Sequence, residues 1–486
     1  MTAQTPVPQS DAYLFEEHSS SLPIWWARHE SPRTVVYLDA HLDLQRSGDE
    51  RLAELRACTT LEGVQALESP HHLEPSAEYA YGIENFLYAA HRLGLIDRLV
   101  WVAPPHIPRR YSSQLIDYLQ QMDGLSFDEL TGFESLGGNV MRGSLLGLDI
   151  TICDYDELDA VDVGSNYYLD IDIDYFVDVP SDRLWIDPAT VIDEVLARLG
   201  RPELVTISRA VGSGFTPLAF RYVGDYLHAR VTGRKDEFDY YRQLTTAIFE
   251  LANGNFETGR QLCRDSIGAQ PGLAAGYYIL ALATSDPAEK KRLLNSTRGH
   301  DEAYGFDLAC EASGLLHRNK SLDPGVLRNL VNALENLDLE HSRREQAEIA
   351  LAQVFAAADD LDFARSLLLR QTGKYANHED LLFAIATRQL QDASRREQNR
   401  EMLNHLSRGG KNATTARLYL GDLEFADGNY ETALAHFQAA AQAAPAWMLP
   451  LRQMLASYRQ LGLGDEAAAV EQRIRQRQQR LQNLIA

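Results

Sequence analysis

The run Tyr167–Phe176, YYLDIDIDYF, constrains this chain more than any other stretch. Tyr, Leu, Ile and Phe make it a strand candidate, and Asp170, Asp172 and Asp174 recur at every second position. Alternate residues of an extended chain face one side, so three carboxylates would share a face. Burying even one ionised carboxylate without a partner costs several kcal/mol. The flanking Tyr167, Tyr168, Tyr175 and Phe176 argue for burial over a wet edge. Divalent cations are then the natural compensation.

Two further segments carry the same chemistry. Asp39-Ala40-His41-Leu42-Asp43 follows the apolar run TVVYL, where a buried strand should end. Parallel sheets place their ligand sites at strand carboxyl ends. If the segment stays extended, its three metal-ligand side chains point one way. Glu16-Glu17-His18-Ser19-Ser20 lies between Tyr13-Leu14-Phe15 and Leu22-Pro23-Ile24-Trp25-Trp26. A lone histidine there is more often a surface or core residue than a ligand.

The chain of 486 residues divides by periodicity. Residues 1–232 alternate helical patterns, such as Tyr81–Leu95 and Ala189–Leu199, with short apolar runs. Those runs are Thr34–Asp39, Leu99–Ala103, Leu148–Tyr155, Tyr167–Phe176 and Leu204–Ser208. This order predicts an α/β domain with a mainly parallel sheet covered by helices. From residue 236 to 486 strand signals stop and Ala/Leu/Arg/Gln-rich helical patterns follow. Gly254–Gly259 (GNFETG) and Gly428–Ala433 (GNYETA) repeat each other, each followed twelve residues on by a proline, Pro271 and Pro445. Around the second copy, Gly421, Ala433, Phe437, Ala440 and Pro445 resemble a tetratricopeptide repeat, and Asp360–Leu369 looks like a degenerate copy. An all-α tetratricopeptide-like solenoid is expected, with a generic helical bundle as the alternative. The polar Val231–Glu237 marks the junction.

Charge narrows the function. Residues 1–232 hold 36 Asp and Glu against 16 Arg and Lys, a net −20, whereas the remainder holds 33 against 30, a net −3. An acidic first half disfavours nucleic acid and suits divalent cations and a cationic substrate, though it also serves solubility. With no lysine in residues 1–232, Schiff-base chemistry and a phosphate-loop lysine are excluded there. Cys58, Cys153, Cys263 and Cys310 are far apart and form no CxxC pair, as expected of a reduced, cytoplasmic protein. The N-terminus lacks a basic start and an apolar core, so no secretory signal is expected, and no run reaches the length of a membrane span.

D-x-H-x-D on one strand with D-x-D on a later one resembles the ureohydrolase pattern of arginases and agmatinases, in which an upstream D-H-S supplies another histidine. A fuller resemblance is to the UPF0489 group of the arginase–deacetylase superfamily. It is carried by Glu16–Trp26, Asp39–Asp43, Gly82–Phe86, Asp170–Phe176 and Thr206–Pro217. Some members of that group are peptide arginases. The resemblance implies an arginase-like three-layer domain and two Mn²⁺ ions, with Zn²⁺ or Fe²⁺ as alternatives. It assigns His18, Asp39, Asp43 and Asp172 to one ion and Asp39, His41, Asp172 and Asp174 to the other. Asp170 either replaces Asp174 in the pair or supports the ligands from behind.

The implied reaction converts arginine side chains of a precursor peptide to ornithine and urea. Glu84 or Asp178 would fork the guanidinium, and Asp174 or His41 would serve proton transfer. Ser208 and Arg209 are further strand-end candidates for binding. The sequence departs from ureohydrolases in lacking an Asp-Pro after Asp174 and in offering only the distant His71 and His72 as shuttling histidines. The motif that holds the α-carboxylate and α-amine of free arginine is not recognisable, which suits a peptide substrate. The repeats would hold that peptide or join two copies of the chain. Two other readings stay open: a hydrolase for a small guanidino or amide substrate, and a non-catalytic adaptor carrying a decayed hydrolase domain.

Overall fold

The computed structural model describes residues 11–69, 79–105, 113–178, 181–213, 215–305, 393–410 and 412–485. Scattered positions between 328 and 390 are also described, including the helix Leu361–Leu368. The first half runs β1 (Asp11–Phe15), α1 (Ser21–Arg28), β2 (Arg33–Leu38), α2 (Asp49–Ala57), α3 (Leu61–Gln65), α4 (Phe86–Arg92) and β3 (Ile96–Val102). It continues with α5 (Ser113–Leu119), α6 (Phe127–Thr131), β4 (Glu134–Gly137), β5 (Val140–Leu145), β6 (Leu148–Cys153) and β7 (Tyr167–Asp172). The hairpin β8 (Val177–Asp178) and β9 (Arg183–Leu184), α7 (Pro188–Leu199), β10 (Leu204–Ser208) and α8 (Tyr222–Thr232) complete it.

Eight strands form one sheet in the order β1-β10-β7-β2-β3-β6-β5-β4. From β1 to β6 all pairings are parallel, and β5 and β4 add an antiparallel edge. The alternation of each strand sorts two cores. Val36, Leu38, Leu169, Ile171, Val205 and Ile207 pack toward α7 and α8. Val35, Tyr37, Leu99, Trp101 and Tyr168 pack toward α1, α4 and α5. Helices therefore cover both faces, as parallel strands require.

Two expectations about extended chain are corrected. The run Tyr167–Phe176 is strand only to Asp172, and Ile173–Phe176 turns into a single 3₁₀ turn. The Asp172 carboxylate accepts the Asp174 backbone N–H at 3.2 Å and so starts the turn. Asp39–Asp43 is likewise not strand. β2 ends at Leu38, and the Asp39 carboxylate accepts the His41 backbone N–H at 2.5 Å. The strand-end loop, not a strand face, gathers these side chains.

From α8 the chain passes Gly233, left-handed at φ 73°, and enters α9 (Lys235–Ala252). α10 (Phe256–Ala269), α11 (Ala274–Leu282) and α12 (Pro287–His300) follow. The polar junction is thus a tight turn between packed helices: Tyr222 stacks on Tyr241 and Tyr226 on Phe238. Helices Arg396–Leu406, Ala413–Ala426, Tyr430–Ala443, Met448–Gln460 and Gly464–Ile485 end the chain.

The two sequence repeats fold alike. Gly254 and Gly428 are left-handed at φ 83° and 80°. Asn255 and Asn429 each donate a side-chain N–H to the glutamate five residues back, both at 2.8 Å. In the second copy the Gly421 backbone lies so close to the Phe437 ring that a Cβ would sit 2.4 Å from it. The last helices return to the α/β domain: Gly124 N–H donates to the Ala443 carbonyl at 2.7 Å, and Ala446 N–H to Leu125 at 3.1 Å. Arg477 lies over the Phe127 ring at 4.4 Å. Among the described residues no helix is long and apolar enough to cross a membrane.

Candidate metal centre

Register brings the three motifs together. β1 pairs with β10, β10 with β7 and β7 with β2, so Phe15, Ser208, Asp172 and Leu38 stand near one level at the carboxyl ends. After Phe15 the chain bends into the 3₁₀ turn His18–Ser20. Ser19 and Ser20 hydroxyls both donate to the Glu68 carboxylate, at 2.8 and 2.9 Å, which pins the turn. His18 is fully buried against Phe86, with ring centroids 4.8 Å apart, and lies parallel to Tyr37 at 5.4 Å.

The two nitrogens of His18 have different surroundings. Nε2 meets Asp170 at 2.6 Å, and Asp170 also accepts the hydroxyls of Ser21 at 2.7 Å and of Thr206, its paired neighbour on β10. In the neutral ring a proton on Nε2 satisfies that contact and leaves Nδ1 as a lone pair. Nδ1 faces Asp39, Asp43 and Asp172 at 3.0, 3.3 and 3.3 Å, and forms no hydrogen bond of acceptable geometry. Around Nδ1, a buried ring nitrogen and three carboxylates converge, an arrangement that fits a cation.

His41 stands on the outer side, about half exposed, with Nδ1 2.8 Å from Asp174 and 3.6 Å from Asp39. Its ring meets Phe215 edge-on at 4.8 Å. Phe215 is carried by the loop after β10, where Ala210 adopts the left-handed φ of 45°. Two groups of three suitably placed donors result: His18, Asp39 and Asp172, and Asp39, His41 and Asp174. They share Asp39, which lies between them.

Electrostatics describes a cluster built for positive charge. Burial opposes the imidazolium of His18, but the charge and hydrogen bond of Asp170 outweigh it and hold the ring well above its ordinary value. For the part-exposed His41, the Asp174 carboxylate at 2.8 Å raises the ring likewise. Burial and then Asp174 push Asp172 well up; burial and then Asp39 push Asp43 up to about 7 and raise Asp174. Burial works against the Asp39 anion too, yet the nearby His18 and His41 pull it below the usual carboxylate range. Protons hold together what cations would hold together when bound.

All six expected ligands therefore meet in one place, and Asp170 lies behind His18, facing away from the carboxylate cluster. Glu84 does not join them. It precedes α4, whose Phe86 takes the inner place against His18, and its side chain lines a neighbouring cavity. Asp178 lies in β8 and accepts the Ser181 hydroxyl. Arg209 is bound to Glu16 at 3.0 Å and Asp225 at 2.7 Å, and Ser208 accepts the Ala210 N–H at 3.2 Å, so both brace the β10 loop. His71 and His72 lie outside the described residues.

Tyr37 went unnoticed in the sequence. Its phenol donates to Asp39 at 2.5 Å and reaches Asp43 at 3.1 Å. Its place two residues before Asp39, on an alternating strand, is the signal that points to it. Trp101 fixes the same loop by donating to the Asp39 carbonyl at 2.9 Å. Beside the centre, burial and the charges of Glu16 and Glu68 push Glu17 up to about 8. No family model matches the chain, and no curated protein does.

Proposed function

We propose that this protein is a dinuclear metallohydrolase of the ureohydrolase class that converts arginine side chains of a peptide to ornithine and urea. The carrying observation is the pair of donor groups that share Asp39, with a buried, unbonded Nδ1 of His18 facing three carboxylates. Carboxylate oxygens with two imidazoles suit Mn²⁺. His18, Asp39, Asp43 and Asp172 would hold one ion, and Asp39, His41, Asp172 and Asp174 the other. Bound there, the pair would supply Lewis acidity and a water of near-neutral pKa.

The residues of the chain do the rest. Asp170, Ser21 and Thr206 keep the His18 tautomer, and Tyr37 holds Asp39 and Asp43 in register. The net −20 of residues 1–232 draws a guanidinium toward the centre. Phe215, at the rim beside His41, offers an aromatic face on which a guanidinium can stack. In the reaction the oxygen of water bonds to the guanidinium carbon and the bond from that carbon to the side-chain nitrogen breaks. Asp174, hydrogen-bonded to His41 Nδ1, returns a proton to the leaving nitrogen.

The helical region is read as tetratricopeptide-like on the matched turns at Gly254 and Gly428 and the close Gly421–Phe437 packing. The protein is assigned to the cytoplasm on its scattered cysteines. The test is mass spectrometry of arginine peptides incubated with the Mn²⁺-loaded protein. A loss of about 42 mass units per arginine is expected, the difference between arginine and ornithine. Urea from free arginine alone would overturn the peptide reading, acetate from acyl-lysine the reaction class, and well under two metal equivalents per chain the catalytic reading.

A further inference from the structure

Beside the centre lies a cavity of about 650 Å³ that both halves of the chain build. The loop after β2 gives one wall with Ser47, the approach to α4 gives Glu84, and α5 gives Tyr118. The far wall comes from the helical region, with Thr414 and Thr415. The seam is made by specific bonds: Thr414 donates to Asp123 at 3.0 Å, and Met448 N–H to Gln120 at 3.3 Å. The cavity and the centre share the loop that follows β2. Leu87 N–H donates to the Asp43 carbonyl at 3.2 Å, Gln45 N–H to the Glu84 carbonyl at 3.0 Å, and the Tyr118 phenol reaches the Leu42 carbonyl at 3.5 Å.

Ser47 is only 5% exposed, lines the cavity, and its hydroxyl has no hydrogen-bond partner. The cations at the rim are already engaged, Arg46 with Asp49 at 3.1 Å and Arg51 with Glu54 at 2.7 Å. Neutral amides and carbonyls suit the hydroxyls and side-chain amides of the wall. The volume falls within the range of about 300–1,000 Å³ typical of ligand sites.

We propose that this cavity holds the backbone of the substrate peptide next to the arginine that enters the centre, and that the helical region acts in catalysis as its far wall. The inference rests on the peptide reading of the centre and adds where the peptide lies. The full-length, Mn²⁺-loaded protein is immobilised and offered a pool of random nonapeptides with a central arginine. Retained peptides and their conversion to ornithine are read in the same spectra. Thr415→Trp and Ser47→Phe fill the cavity from opposite walls, and Thr415→Gln does so more gently. Metal content and thermal midpoint report whether each variant folds.

Retention of a defined peptide set by the wild type, lowered at least tenfold in Thr415→Trp and less in Thr415→Gln, is the expected result. Equal retention by folded cavity variants would overturn the proposal, as would no retention by a wild type that hydrolyses free arginine. Retention that the cavity variants abolish, without any ornithine, would sink the reaction and leave the cavity standing as a peptide site.

Discussion

Two buried acids, Glu424 in the helical region and Asp172 at the sheet, sit in opposite circumstances. Glu424 accepts Arg400 at 2.9 Å and the Asn429 amide at 2.8 Å, so its charge is answered by the fold. Asp172 has Asp39 and Asp174 as like-charged neighbours, and one histidine nitrogen before it that also faces Asp39 and Asp43. The first arrangement stabilises a repeat. The second costs stability until something positive binds, and a fold keeps such a cost where it serves a site. Burial of charge is common to both, and the completeness of its pairing separates scaffold from chemistry.

The largest test of that contrast is removal of the shared ligand. Asp39→Asn should leave well under two metal equivalents by elemental analysis and lower turnover on the order of 10³-fold or more. Asp170→Asn acts one step away, by loosening the His18 tautomer, and should weaken Mn²⁺ binding about 10–100-fold. Full metal content in Asp39→Asn would show that the two donor groups do not belong to one centre.

The contrast also predicts a pH dependence. Without metal, His18 and His41 hold their protons well above the ordinary range, and Asp43 titrates near 7. Ligation requires those protons to leave, so Mn²⁺ affinity should rise with pH. One net proton displaced gives about 100-fold between pH 6 and 8. Calorimetry in buffers of different ionisation enthalpy counts the protons released. Affinity that is flat with pH would mean that the donors are already unprotonated.

The centre was legible because its residue types are scarce in apolar surroundings: Asp39, His41 and Asp43 after TVVYL, and Asp172 and Asp174 inside a run of Ile and Tyr. Periodicity placed these runs in a parallel sheet, whose carboxyl ends must then converge. The geometry within the cluster was less legible, since it depends on where extended chain stops. Asp172 and Asp39 each capture a backbone N–H two residues on and turn the chain, so the alternation argument fails one residue too soon. Glu84 lines the neighbouring cavity, and nothing local in the sequence shows that Phe86 takes the position against His18. β1 was missed as a strand, as were β4 and β5, short and carrying exposed positions. Segments distant in the chain build the cavity, and no spacing rule joins Ser47 to Thr415.

In the helical region, steric fit should matter where charge does at the sheet. A Cβ on Gly421 would sit 2.4 Å from the Phe437 ring, so Gly421→Ala should destabilise the protein by about 1–3 kcal/mol. Denaturant unfolding measures this, and metal content should stay at the wild-type level. A fall in metal content without unfolding would show that the two regions are coupled more tightly than their separate chemistries suggest.

The smallest effect sharpens the comparison most, because it turns on sign. Arg400→Ala removes the cation from Glu424 and should cost about 1–2 kcal/mol, the low end for a hydrogen bond to a charged group because Arg400 is part-exposed. Asp172→Asn removes a charge that the metal-free fold resists, and should stabilise that form at pH 8 by about 1–3 kcal/mol. The sign follows from linkage. A carboxyl raised in the folded state binds its proton more tightly there than in the unfolded chain. Stability therefore falls as pH rises from the unfolded value toward the folded one, and the asparagine is spared that fall. The gain from Asp172→Asn should shrink toward pH 4, and added Mn²⁺ should reverse it, since only the aspartate can then be paid back by the ion. Destabilisation by both variants in chelator would mean that the protons at the centre pair its charges as fully as Arg400 pairs Glu424.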